Sequence, residues 1–190
     1  MDFKLYTDAF LKPKETFAAQ KANAELGKGI LNFVLGGFLY GIVAFVLVAA
    51  LSLAGGNPAG IVVGAIYIVA APILVVIFEL IMLIVPFILS KIVGGTGSYT
   101  SLFYLTSLYS VAALVLQAIP LVGFFVSLYT VYLFYLAVKE SQGLSQNRAL
   151  AVVLIPLVLV IVVVVLLLVL GLFALGGVVS SAAAPKVYPY

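Results

Sequence analysis

Glu79 is the one acidic side chain set deep within a long apolar run of this 190-residue chain, with Pro72 and Pro86 seven residues to either side. Each proline lacks an N–H and frees the carbonyl four residues earlier, on Ile68 and Met82. About four helical turns separate the prolines, so both freed carbonyls open towards nearly the side that carries Glu79. An acid at mid-bilayer costs about 2.5–3.5 kcal/mol on insertion scales and faces a bundle interior or a water-filled cavity. Two chemistries follow. One is a proton, cation or substrate contact; the other is a protonated acid hydrogen-bonded to a neighbouring helix. The second is favoured, because no other intramembrane charge completes a relay.

The remaining polar groups point to packing. Thr100, Ser107, Ser110 and Gln117 fall within an arc of roughly 100° on one helix. In lipid such a stripe bonds to neighbouring helices for about 0.6 kcal/mol per contact, or it lines a hydrated path. Gly37–Gly41 and Gly60–Gly64 are GxxxG pairs that permit close helix approach, within the fold or between copies. Tyr129, Tyr132 and Tyr135 descend one side of a helix, and Tyr99, Tyr135, Tyr188 and Tyr190 sit where interfacial anchors belong. Gly94-Gly95-Thr96-Gly97 lacks the spacing of a phosphate cradle and reads as a flexible turn. The chain has no cysteine and no histidine, so imidazole acid–base chemistry, thiol nucleophiles and Cys/His metal sites are excluded. Its serines lack a base and its carboxylates lack a pair. No catalytic residue, metal site or cofactor is expected.

These residues must be positioned by membrane helices. Hydrophobic residues make up 66% of the chain and charged ones 8%, too few charges to cover a soluble fold. The apolar runs are long and unalternated, which excludes barrel strands. The expected fold is all-α: a polytopic five-helix bundle with spans at about 30–54, 61–90, 99–119, 121–138 and 149–175. This gives a cytoplasmic or interfacial lead segment at 1–28, a transmembrane domain at 29–178 and a short external tail at 179–190. The first run is too long and too far from the N-terminus for a signal peptide and stays in the protein. Lys4, Lys12, Lys14, Lys21, Lys28, Lys91, Lys139 and Arg148 fall on one set of faces, and Lys186 alone on the other. The positive-inside rule then puts the N-terminus in the cytoplasm and the C-terminus outside, in the cell membrane.

Pro13 suits the first turn of a helix running to about Leu26. Phe10, Leu11, Phe17 and Leu26 would rest that helix on the inner leaflet with its lysines on lipid phosphate; an ordinary solvated lead-in is equally open. Lys91, Lys139, Glu140 and Arg148, on the inner loops, are the candidate contacts for a cytoplasmic partner.

The stretch from Gly94 to Pro156 resembles the Yip family of five-span membrane proteins, in particular its archaeal and bacterial branch. A glycine-containing inner loop runs into an aromatic, hydroxyl-rich third span at Gly97-Ser98-Tyr99. A tight hairpin follows at Ile119-Pro120-Leu121. The fourth span ends in Lys139-Glu140-Ser141-Gln142-Gly143-Leu144-Ser145, and Arg148-Ala149 opens the fifth. Pro13-Lys14-Glu15-Thr16-Phe17 is similar to the family's lead-in before span one. The resemblance implies a non-enzymatic scaffold or accessory subunit whose partners are membrane lipids and other integral membrane proteins or copies of itself, with no nucleic acid. Eukaryotic relatives bind Rab GTPases, but their Asp-Leu-Tyr-Gly-Pro lead-in is absent here, which puts the transfer of GTPase binding in doubt. The alternative is a small transporter or channel using Glu79; the odd span number and the lack of a repeat count against it.

Overall fold

A computed structural model describes the backbone of residues 3–182 and the side chains of residues 3–171. Every regular element among them is helical: α1 Phe3–Leu11, α2 Pro13–Gln20, a 3-10 turn at Lys21–Asn23, α3 Leu26–Ala54, α4 Ala59–Met82, α5 Ile84–Ile92, α6 Tyr99–Gln117, α7 Val122–Gln142 and α8 Gln146–Ala182. Five segments are long and apolar enough to cross a bilayer: α3, α4 with α5 (Ala59–Ile92), α6, α7, and Gln146–Gly171 of α8. The expected all-α polytopic fold is the one observed. Lys186, Tyr188 and Tyr190 in the tail lie outside the described residues. The chain up to Val153 makes one compact unit; from Leu154 onward α8 is a separate unit, a single apolar helix.

The first unit is organised around α6. Its start is fixed by Ser98, whose hydroxyl accepts the Ser101 N–H at 3.0 Å and so satisfies one orphan donor of the first turn. From Ser101 to Val111 every α6 side chain is buried, against α3, α7 and α1. Phe33 and Phe103 form one aromatic contact of that core, with ring centroids 5.0 Å apart.

The α3–α4 pair is held differently. Lipid tails are as apolar as leucine, so two membrane helices gain little from hydrophobicity and need close backbone contact instead. Gly37 and Gly41 supply it. A Cβ on Gly37 would stand 2.6 Å from the Pro72 Cα, and one on Gly41 2.5 Å from the Tyr67 carbonyl oxygen. Gly60 lies against Ser52 and Gly64 against Phe45, so both GxxxG pairs are used within this hairpin.

Helix α4 continues through Pro72, and the break in the second run comes at Leu83. Pro86 then occupies the first turn of α5, where a missing N–H leaves no intrahelical bond unmade. The lead segment also differs from the single helix expected. Pro13 does open α2, but α2 stops at Gln20 and a further helix, α1, precedes it. Phe17 lies against Tyr109 and Asn32 bonds Ser107, partners two residues apart on α6. Continuous helix from Phe17 to Asn32 would hold them about 22 Å apart at 1.5 Å per residue, so the chain must turn at Lys21–Asn23.

Candidate functional site

Helices α1 and α2 form a hairpin seated on the transmembrane unit. Tyr6, Ala9 and Phe17 are buried among Leu105, Leu108, Tyr109 and Leu133. Polar bonds fix the seat. The Tyr6 hydroxyl donates to Asn32 Oδ1 at 2.9 Å, Asn32 Nδ2 donates to Ser107 Oγ at 2.9 Å, and the Ser107 hydroxyl donates to the Tyr104 carbonyl at 2.7 Å. The Tyr104 hydroxyl donates to Gln20 Oε1 at 3.1 Å, and the Tyr129 hydroxyl to the Phe10 carbonyl at 2.8 Å. The Phe10, Tyr129, Tyr132 and Tyr135 rings follow one another at 5.1, 5.9 and 6.4 Å. Asn32 is the hub the sequence reading passed over. Its signal was available: an amide in the first turns of an otherwise apolar run needs partners in lipid.

The loops at the same end interlock. The Thr96 N–H donates to the Gln142 carbonyl at 3.0 Å, and Gln142 Nε2 returns a bond to the Ser98 carbonyl at 3.0 Å. Gly97 lies so close to the Ser141 backbone that no Cβ fits there. The glycine-rich turn expected to be flexible is therefore a packed joint, because its missing side chains admit the end of α7. Gln142 is wholly buried, and its Oε1 has no hydrogen-bond partner among the described residues.

The candidate partner contacts fall around this joint. The Lys91 ammonium donates to the Gly95 carbonyl at 3.2 Å and to the Gly97 carbonyl, and lies 5.2 Å from the centre of the Phe87 ring. Glu140 faces Lys21 across 3.9 Å, tying α7 to the lead segment. Lys139 is half-buried and Arg148 is exposed beside Gly94.

The residues picked out as an intramembrane site are divided between two ends. Half-buried Glu79 lies beside Leu80, whose carbonyl accepts the Tyr99 hydroxyl at 2.6 Å, at the start of α6. No described side chain bonds Glu79. Gln117 closes the other end of α6, in an open cavity of about 570 Å³ lined also by Tyr40, Tyr67, Leu114 and Ser127. Ser107 belongs to the Asn32 hub, and Ser110 turns back to the Thr106 carbonyl at 2.8 Å. Pro72 backs Gly37, and Pro86 is buried at the start of α5. No group of three Asp, Glu, Cys or His that would hold a metal converges among the described residues.

Together these features define a multi-pass helical membrane protein whose polar groups concentrate at one end, where an N-terminal hairpin and two loops lock the helices. The chain belongs to the Yip1 domain family: the Yip1 domain matches residues 7–168, from within α1 to within α8. No curated protein and no solved structure matches the chain.

Proposed function

We propose that this protein is a non-enzymatic membrane scaffold or accessory subunit, seated in the cell membrane with its N-terminus in the cytoplasm. It engages integral membrane proteins, or copies of itself, through its lipid-facing spans, and partners from the cytosol at the locked end. The observation that carries this reading is where the polar groups go. Tyr6, Asn32, Ser107, Tyr104, Lys91 and Gln142 are spent on holding helices and loops together, which builds a rigid surface rather than an open reaction site. The family match is consistent with such a role, and the charge asymmetry across the membrane supports the orientation.

Extraction of the native membrane into lipid nanodiscs, with the mass of the intact particle and of each subunit determined, tests this. A stoichiometric foreign subunit supports the accessory role and a homo-oligomer supports self-association; a lone monomer counts against both. The second reading, a transporter or channel, is favoured only by Glu79 having no hydrogen-bond partner among the described residues. It predicts that Glu79→Gln abolishes solute or proton flux, whereas the scaffold reading predicts an unchanged set of co-purified subunits.

A further inference from the structure

Helices α4, α3, α6 and α7 pack in that order, each against the next. The cavity at the far end of α6 is lined from all four, so α4 and α7 flank it while α3 and α6 close its back. Its polar groups are gathered by the packing already described. Gly37 and Gly41 draw α3 and α4 together until the Tyr67 backbone lies against Gly41, the residue after Tyr40. Helices α3 and α6 pair at a constant offset of seventy-five residues: Gly29 against Tyr104, Asn32 against Ser107, Gly36 against Val111. Carried forward, that offset sets Gln117 level with Ile42. Two phenols and an amide, from three helices, thus meet in one cavity.

These three side chains are unspent. Ser127, the remaining polar group of the lining, donates its hydroxyl to the Gly123 carbonyl at 2.8 Å. Tyr40, Tyr67 and Gln117 have no hydrogen-bond partner among the described residues. Elsewhere in the first unit polar side chains are used to hold helices together; here they face a space. Hydrocarbon offers them nothing to bond, so a polar group must arrive with the occupant. The ordinary use of tyrosine in a membrane helix, as an interfacial anchor at a span's end, does not cover Tyr40, the middle residue of α3.

We propose that this cavity binds one uncharged membrane lipid, whose carbonyl or hydroxyl oxygens meet Tyr40, Tyr67 and Gln117 and whose hydrocarbon lies along α4. Size fits: about 570 Å³ falls within the range of about 300–1,000 Å³ for small-molecule sites, and the lining is mostly apolar with a few convergent polar groups. Length fits. The lining on α4 covers residues 63–75, a rise of about 18 Å, against about 15 Å for one leaflet of a core of about 30 Å. The opening fits as well, because Val63, Ile66 and Leu74 on its rim are each more than half exposed within a membrane span. A lipid enters there from the bilayer without crossing water.

The class of lipid follows from charge. No charged side chain lines the cavity, so a phosphate drawn into it would stand in hydrocarbon without a countercharge. Phenol hydroxyls and an amide N–H instead donate to neutral ester, ketone or hydroxyl oxygens. The site lies at the opposite end of α6 from the locked loops and does not rest on the scaffold reading.

The test uses the full chain in phosphatidylcholine vesicles carrying a trace of diacylglycerol with a photoreactive diazirine in one acyl chain. Phosphatidic acid with the same chains is the charged comparison. Irradiation should attach diacylglycerol to peptides covering residues 63–75 and 114–127, and unlabelled diacylglycerol should suppress those adducts. Phosphatidic acid should give no adducts that an excess of its unlabelled form suppresses. The combined variant Tyr40→Phe, Tyr67→Phe, Gln117→Leu keeps the shape of the cavity and removes its polar groups. It should need about tenfold more unlabelled diacylglycerol for the same suppression. Ala70→Phe, which places a ring in the cavity, should abolish the suppressible adducts. Adducts spread over all spans and indifferent to competitor, or none at all because a protein helix fills the cavity, would overturn the proposal. So would equal suppressible labelling by phosphatidic acid, or competition unchanged in both variants.

Discussion

The α3–α4 and α6–α7 pairs are both antiparallel hairpins of apolar helices, and they are held by opposite means. In α3–α4 the contact is backbone to backbone across Gly37 and Gly41, polar bonds are few, and the outward faces are broadly exposed. In α6–α7 the pair is tied at its loop end by Gln142 to the Ser98 carbonyl, and hydroxyls and amides at Ser107, Tyr104 and Tyr129 bind it to Asn32 of α3 and to the α1 and α2 that sheath it. Lipid-embedded helices must win their association from contact distance or from hydrogen bonds. This protein uses the first remedy at one end and the second at the other. The second also leaves a shaped polar surface, which is why the proposed partner face belongs at that end.

The contrast can be broken by substitution. The largest effect is expected from Gly41→Leu, which drives a side chain into the Tyr67 carbonyl and the Ile68 Cα, 2.5 and 2.8 Å from a Cβ. Overpacking of this kind costs about 3 kcal/mol, read as a lowered unfolding midpoint in detergent. Gly27→Ala, with nothing within 4 Å of its Cβ, is the control and should lose nothing. An equal loss in both variants would show that close approach does not hold α3–α4.

Asn32→Leu comes next. It removes the bonds to Tyr6 and Ser107 from a buried position, at a cost of about 1–3 kcal/mol. The loss should be local: protease cleavage between α1 and α3 accelerates while the α3–α4 pair stays intact. Cleavage at the wild-type rate would mean that the hub does not hold the hairpin. The smallest effect belongs to Lys21→Ala. Its 3.9 Å pair with Glu140 joins side chains 39% and 40% exposed, so the change in stability should not exceed about 1 kcal/mol and should vanish in high salt.

The five apolar runs were legible because a span of about 20 apolar residues has no soluble counterpart. So were Pro13 at the start of a helix and the glycine pairs, since both are rules about one residue and its nearest neighbours. The seat of α1–α2 was not legible. It depends on pairings such as Phe10 with Tyr129 and Gln20 with Tyr104, over a hundred and over eighty residues apart, which no local period encodes. Glu79 drew the eye because a charge in an apolar run is conspicuous. Asn32, uncharged and near a helix start, carries more bonds and drew none. The glycine turn at Gly94–Gly97 misled for a related reason: glycine marks both loose chain and tight contact, and only the position of Ser141 distinguishes them here.

The central claim is that α1–α2 is built into the transmembrane unit and completes its polar end. A benzophenone side chain introduced at position 10, in the full-length protein in lipid nanodiscs, tests it in one step. The Phe10 ring lies 5.1 Å from that of Tyr129, centre to centre. Irradiation should give an intramolecular adduct whose peptide map joins α1 to the Tyr129 region of α7. Adducts to lipid alone, or no adduct, would contradict the account and return the lead segment to the membrane surface or the solvent.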